Sequence, residues 1–442
     1  MNDYLDIFGQ QTFTINIQSC FCFPLPDNSA CPKIIDTLTK GLERLNTSFP
    51  WLAGQVVNEG LGDGDTGSFL IRPLQNEAQL VVRDLQHDPS IATMNNLQRA
   101  KFPISMLDQN VLAPRNVFPD TQDESAPVFL VQANFITGGL LLTFVAQHNA
   151  MDATGLTNII HLFSKACRNE DFTAKEIRDG NLPRRDIVPL LEDSHTIGTE
   201  LDRYMVKPAP YRHQTLMPKC SWTSFKISHH SQEALKSIAM ASIPLPSFIS
   251  TDDALTAFIW QSVTRARLRR LDPSTHSTLM RAVDVRGVLG ISSLYPGPIQ
   301  SNVYTEFPMR RLIEEPFGSI AQQLRLALSD KSHLEHHTRA IATFLSRTPD
   351  KSKFSFGAGI DTTTDLIFSS WAKLGGCSFD FNLGLGLPEA VRKPRCNEVE
   401  GLTFLLPKTR EGDVVVAICL RDEDIGQLRS DVVLMEHAEH IG

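Results

Sequence analysis

The sequence predicts an α/β protein of two similar domains, each a mixed β-sheet flanked by helices. Three observations carry that expectation. Strand-like and helix-like runs alternate along both halves. A polar, proline-rich stretch between about 171 and 220 interrupts them once, and 442 residues at 42% hydrophobic content suffice for about two or three domains with cores of their own. The predicted division is 1–180, a crossover over 181–220, and 221–442.

From Ile34 to Leu45, apolar residues at Ile34, Ile35, Leu38, Leu42 and Leu45 recur at helical spacing, and Pro50 follows to stop the pattern. Strand-like runs come next at 69–74, 79–85, 128–136 and 139–147, the last two joined at Thr137-Gly138 as a hairpin. Directly after it, Leu156, Ile159, Ile160 and Phe163 give the pattern of a half-buried helix over Asp152 to Cys167. His148 therefore stands where a strand gives way to a helix.

Pro183, Pro189, Pro208, Pro210 and Pro218 mark the crossover, which reads as a long connection rather than a packed element. The second half reopens with a strand at 222–228, a helix after Ser231–Glu233, and a strong helix from Thr251 to Arg270. Ser250 or Thr251 would cap that helix, with Asp252 and Asp253 suiting its positive end. A strand over Met280–Val285, a helical region from about 315 to 346, and closing strands near 402–406 and 414–419 complete the alternation.

Charge and length exclude several classes of function. With 42 Lys plus Arg against 50 Asp plus Glu, the chain carries a formal charge of -8 and has no basic surplus for nucleic acid phosphates. The longest apolar stretch, Gly138 to Ala146, is far below the roughly 20 residues that span a bilayer. MNDYLDIFGQQ lacks the basic and apolar regions of a signal peptide, so the expectation is a cytoplasmic protein with reduced thiols and no membrane partner, and a monomer is expected as well. Eight cysteines are too few for a disulfide scaffold, and the lone C-x-C of Cys20 and Cys22 reads as alternating faces of a strand rather than a metal site.

The sharpest motif is His148-Asn-Ala-Met-Asp152-Ala-Thr-Gly155, an H-x-x-x-D-x-x-G expected by chance roughly 0.05 times in such a chain. A histidine at the exit of a buried strand is held rigidly, and a neutral imidazole of ordinary pKa near 6.5 can accept a proton from an attacking hydroxyl. The blander alternative makes His148 a satisfied core histidine and Asp152 a helix cap. Other motifs have plain readings. Gly62 to Gly67 fits G-x-G-x-x-G, but a strand follows it, so it reads as a turn. His333, His336 and His337 read as an exposed polar helix face, and Arg265, Arg267, Arg269 and Arg270 as a solvated helix end rather than a phosphate site. No metal is expected. G-x-S-x-G and G-x-x-x-x-G-K-[ST] are absent from the sequence.

Three further segments stand in order with the motif: Phe49-Pro50-Trp51-Leu52-Ala53-Gly54-Gln55; Val283-Asp284-Val285-Arg286 followed by Tyr295-Pro296-Gly297 and Asn302; and Ser369-Ser370-Trp371 leading to Asp380-Phe381-Asn382-Leu383-Gly384. Together they resemble the BAHD acyltransferases, which move an acyl group from coenzyme A to an alcohol or amine. The resemblance covers nearly the whole chain. It is strongest to the fungal trichothecene 3-O-acetyltransferase branch, where segments like FPWLAGQV, STDDALTAFIWQS, LSSWAK and PEAVRKPR (388–395) recur.

The resemblance implies an active channel between the domains, with His148 as general base and Asp152 as a structural residue paired with Arg286. Asp380 would support the site, and Ser250, Thr251, Ser370 and Trp371 fall in segments that line the coenzyme A channel in the family. Acetyl-CoA or another acyl-CoA would be the co-substrate, and a hydroxylated small molecule such as a fungal terpenoid or polyketide the acceptor. Asn382 and Leu383 depart from the D-F-G-W-G pattern; asparagine tolerates positive φ, so the turn is expected to survive. Two rivals remain open: a condensation-like enzyme of the same fold acting on a carrier-protein thioester or within one molecule, and a non-catalytic binding protein.

Overall fold

The computed structural model describes residues 3–75, 77–120, 125–207, 218–244 and 246–442. Its strands are β1 (Asp3–Tyr4), β2 (Asn16–Pro24), β3 (Gly54–Gly62), β4 (Asp65–Pro73), β5 (Leu80–Asp84), β6 (Phe129–Ile136), β7 (Gly139–Gln147), β8 (Cys220–Ile227), β9 (His276–Asp284), β10 (Gln300–Pro308), β11 (Leu366–Ser370), β12 (Ala390–Arg392), β13 (Leu402–Leu405), β14 (Val414–Arg421) and β15 (Glu439–His440). A mixed sheet in each half carries the α/β architecture, ordered β12-β2-β7-β6-β5 in the first and β10-β9-β11-β13-β14-β8-β15 in the second. A small antiparallel sheet, β1-β4-β3, lies beside the first.

The β6–β7 hairpin turns at Gly138, whose φ of 76° explains the glycine there. Both strands are buried along their whole length, as strands covered on both faces must be. The helices Cys31–Ser48 and Ala153–Cys167 cover one face with Leu38, Leu42, Ile159 and Phe163. Met94, Leu97, Phe102 and Leu107 cover the other. Cys20 and Cys22, two apart on β2, share a face within that second cluster rather than alternating. In the second half, the helix Thr251–Arg267 backs the sheet and buries Trp260 completely.

The two halves are interlocked. Strand β12 comes from the second half of the chain yet pairs with β2, placing Ala390, Val391 and Arg392 opposite Cys22, Phe21 and Cys20. Just before it, Phe381 is fully buried among Phe21, Phe23, Phe144 and Phe163, at ring separations of 5.6, 6.0, 5.8 and 6.0 Å. Burial of one such ring contributes about 1.5–3 kcal/mol, so this contact fastens the later segment into the earlier core. An apolar wall of Ile104, Val117, Trp222, Trp371 and Phe404 fills the space between the halves.

Two sequence expectations change. Part of the crossover is packed: a helix spans Ala174–Gly180, started by a reciprocal Thr173/Glu176 cap, and Val188, Leu201 and Tyr204 are buried. Proline content concealed that cap. Pro208 and Pro210 lie outside the described residues. The arginine run is not a solvated end either, since Arg267 is 1% exposed and donates to the Asp365 carbonyl at 3.0 Å. Arg270 meets Asp424 and Glu400 at 2.8 and 2.9 Å, and Arg265 meets Asp431 at 2.7 Å; only Arg269 is exposed. Their acidic partners come from segments about 100 to 170 positions away, beyond any local pattern.

Candidate active site

His148 follows the last residue of β7, and its backbone N–H donates to the Ile15 carbonyl at 2.8 Å, which continues the β2–β7 pairing by one step. The sheet therefore fixes where the ring stands. His148 is half-buried as a residue. Burial holds its pKa below the ordinary histidine value against the opposing effects of its own backbone and Asp152, while Lys393 adds to the lowering. The neutral, proton-accepting form thus persists to lower pH than in a free histidine.

The turn 149–152 is secured from below. Asn149 donates through Nδ2 to the Gly9 and Gln11 carbonyls, each at 2.8 Å, and Arg184 donates to the Ala150 carbonyl at 2.7 Å while stacking 4.4 Å over the Trp51 ring. Asp152 then caps the helix Ala153–Cys167, accepting from the Gly155 N–H at 2.8 Å. Its Oδ1 also accepts from Arg286 Nη2 at 2.9 Å, its Oδ2 accepts from the Ile299 N–H at 3.1 Å, and Arg286 Nη1 lies 2.9 Å from Oδ2 as an ion pair. Engaged by three hydrogen-bond donors and an ion pair, Asp152 is positioned to hold the loop.

Arg286 is 1% exposed and donates to the Tyr295 and Gly297 carbonyls at 3.0 and 2.6 Å. Burial opposes its charge, but the ion pairs with Asp152 and Asp284 outweigh that effect and raise its pKa. The pair therefore ties residues 284–299 of the second half to the helix that follows His148. Gly155 permits this approach, because a Cβ there would lie 1.9 Å from the Pro296 carbonyl oxygen. Gly297 permits another: a Cβ would fall 2.1 Å from Oδ2 of the fully buried Asp6, which accepts from the Tyr295 hydroxyl at 2.8 Å. Asp6 and the Ile299 N–H were not legible in the sequence, and Gly297 stood there only as part of a recurrent segment, since each acts across a separation that no local spacing encodes.

The residues assigned to coenzyme A form a second group. Ser250 is the cap of the helix Thr251–Arg267 and exchanges hydrogen bonds with Asp253 at 2.7 and 3.2 Å. Ser370 at the end of β11 donates to Asp252, so the starts of that helix and the end of that strand are joined. Both hydroxyls are thereby committed to protein partners. Thr251 is half-buried, and Trp371 is buried with its indole N–H donating to the Ser369 hydroxyl at 3.1 Å. Trp371 packs 5.8 Å from Phe404 in the wall that also touches Ile15 and Ala153, beside His148.

Asp380 accepts from the Asn382 N–H at 2.8 Å, and its carbonyl accepts from Arg168. Asn382 has φ 55° and is exposed, so the turn survives the departure from glycine as expected, and Leu383 is buried in the first core. No contact among the described residues joins Asp380 to His148 or Asp152. His337 accepts or donates at 2.8 Å with the Tyr204 hydroxyl, while His333 and His336 are exposed. Surface clefts of about 410 and 390 Å³ lie at the Pro24–Gly138 and Pro89–Arg395 faces, and neither is lined by His148.

A fold with a mixed sheet in each half that presents an imidazole at a strand exit, its loop braced by an aspartate paired with an arginine of the opposite half, defines a transferase of the H-x-x-x-D type. The chain belongs to the Transferase family, the BAHD acyltransferases, which it matches over residues 92–435, and residues 15–167 match the trichothecene 3-O-acetyltransferase-like N-terminal domain. It is 48% identical to the O-acetyltransferase dmxR13 of Cryptosporiopsis sp. over 100% of this chain and 98% of that protein. It is 44% identical to the trichothecene 3-O-acetyltransferase TRI101 of Fusarium sporotrichioides, over 99% of this chain and 97% of that one. The crystal structure of F. graminearum TRI101 complexed with coenzyme A and deoxynivalenol superimposes with a TM-score of 0.96 at 40% identity, covering 100% of both chains. Among the described residues no helix is long and apolar enough to cross a membrane.

Proposed function

We propose that the chain transfers an acyl group, acetyl in the first instance, from coenzyme A to a hydroxyl of a fungal secondary metabolite, with His148 as general base. The observation that supports this reading most is the braced placement of His148: strand pairing fixes its backbone and the Asp152–Arg286 pair fixes the loop behind it. Relatives named O-acetyltransferase and a TRI101 structure complexed with coenzyme A and deoxynivalenol support the reaction class and coenzyme A as co-substrate. His148 takes the hydroxyl proton as the oxygen attacks the thioester carbonyl. The tetrahedral intermediate then expels the thiolate, which recovers the proton from the imidazolium. Attack by the acceptor itself requires no covalent acyl-enzyme.

General-base assistance supplies about 10² to 10⁴ in rate, and alignment of two bound substrates can add more. In the same reading, Thr251 and Trp371 contact coenzyme A, while Ser250, Ser370 and Asp380 act through the segments they hold. The chain works as a cytoplasmic monomer divided at 1–180, 181–220 and 221–442, with its channel between the two domains. The test incubates purified protein with acetyl-CoA and a panel of terpenoid and polyketide alcohols, following thiol release and a mass gain of one acetyl. Acetylation of at least one alcohol is expected. Coenzyme A binding by calorimetry with no transfer to any alcohol would overturn the reading.

A further inference from the structure

Lys393, the residue after β12, is 3% exposed. It has no hydrogen-bond or ion-pair partner among the described residues, and its Nζ lies 5.4 Å from the centroid of the Phe404 ring. A ring face offsets only part of the cost of removing an ammonium from water. Its neighbour Arg392, buried as well, spends its guanidinium on the carbonyls of Phe102, Val391 and Lys101, so the two cations are solvated in quite different ways. Phe404 belongs to the apolar wall that reaches Trp371, Ile15 and Ala153 beside His148. Among the described residues, Asp152 and Lys393 are the charged groups that bear on the His148 ring, and Asp152 is paired with Arg286. Lys393 thus stands directly after a sheet-paired strand with no counter-ion among the described residues, and burial holds its pKa below the ordinary lysine value.

We propose that Lys393 is a specificity-determining residue of that site, its ammonium receiving an anionic oxygen, phenolate or carboxylate, which the acceptor carries beside the hydroxyl to be acylated. The proposal rests on the reading of His148 as the transfer base. It narrows the acceptor class to acidic hydroxylated molecules, because a neutral alcohol would leave the buried cation unpaired. The same charge also disfavours a second cation on His148, which helps keep the imidazole neutral.

The test uses two polycyclic probes that differ in one carboxylate, 3-hydroxy-2-naphthoate and 2-naphthol, titrated by fluorescence against the full chain loaded with coenzyme A. Wild type is expected to bind the carboxylate probe at least tenfold tighter. Lys393→Met is expected to reduce that preference to within twofold, to retain coenzyme A affinity by calorimetry, and to melt at higher temperature through loss of an unpaired buried charge. Lys393→Arg is expected to keep the preference, and Lys393→Gln stands in should the methionine variant not fold. An equal affinity of wild type for the two probes, a preference that survives Lys393→Met or Lys393→Gln, or a loss of coenzyme A binding in those variants would overturn the proposal. Probe binding is read without turnover, so full activity in His148→Ala would defeat the base assignment while leaving this measurement to stand or fall separately.

Discussion

Arg286 and Lys393 are both buried cations close to the His148 loop, at 1% and 3% exposure, yet their surroundings treat them in opposite ways. Arg286 meets two carboxylates and two carbonyls, so its charge is balanced within the protein. Among the described residues, Lys393 meets a ring and no carboxylate. A balanced buried cation braces structure, whereas an unbalanced one lowers stability and persists where a bound molecule completes it. The comparison separates residues that hold the base in place from residues that choose what approaches it.

The largest expected effect tests what both cations serve. His148→Ala is expected to fold normally and to lose about 10² to 10⁴ in kcat, measured by thiol release from acetyl-CoA. Circular dichroism checks the fold, and wild-type turnover in that variant would remove the basis of the comparison. On the bracing side, Arg286→Ala strands a buried carboxylate and is expected to cost about 3–5 kcal/mol in urea unfolding, with lower soluble yield. Asp152→Ala should behave similarly. Their stability loss sets them against Lys393→Met, which is expected to gain stability.

A smaller effect is expected from Gly155→Ala. The added methyl would meet the Pro296 carbonyl, so the two halves must shift, and a loss of about 1–3 kcal/mol with reduced kcat/KM is anticipated. The pH profile offers the finest test. Because burial depresses the His148 pKa, the acid limb of kcat/KM is expected to fall below the ordinary histidine value, activity being present above that pH and lost as pH drops through it. Removing the Lys393 charge relieves part of the depression, so the limb in Lys393→Met moves to higher pH, whereas the limb in Lys393→Arg stays.

Much of this was legible locally. The hairpin at Thr137-Gly138, the helix starting at Asp152 and the position of His148 between them follow from alternation, helical spacing and a cap within about 30 residues. Arg286 required a resemblance, because its pairing with Asp152 spans 134 positions. Lys393 appeared in the sequence only as part of a recurrent segment; its isolation depends on Phe404 and on the pairing of β12 with β2. The arginines at 265–270 misled for the same reason, since a helix end reads as solvated until distant carboxylates fold over it. Local chemistry announces where a reactive group stands. Long-range packing decides which charges around it are cancelled.

Strand β12 gives the halves a buckle. With residues 390–392 laced into the opposite sheet and Phe381 seated in the opposite core, a clamshell motion would have to unzip backbone hydrogen bonds and pull an aromatic ring into water. Molecules that visit His148 must then thread past rigid walls rather than wait for jaws to part, and girth, more than flexibility, would set which of them arrive.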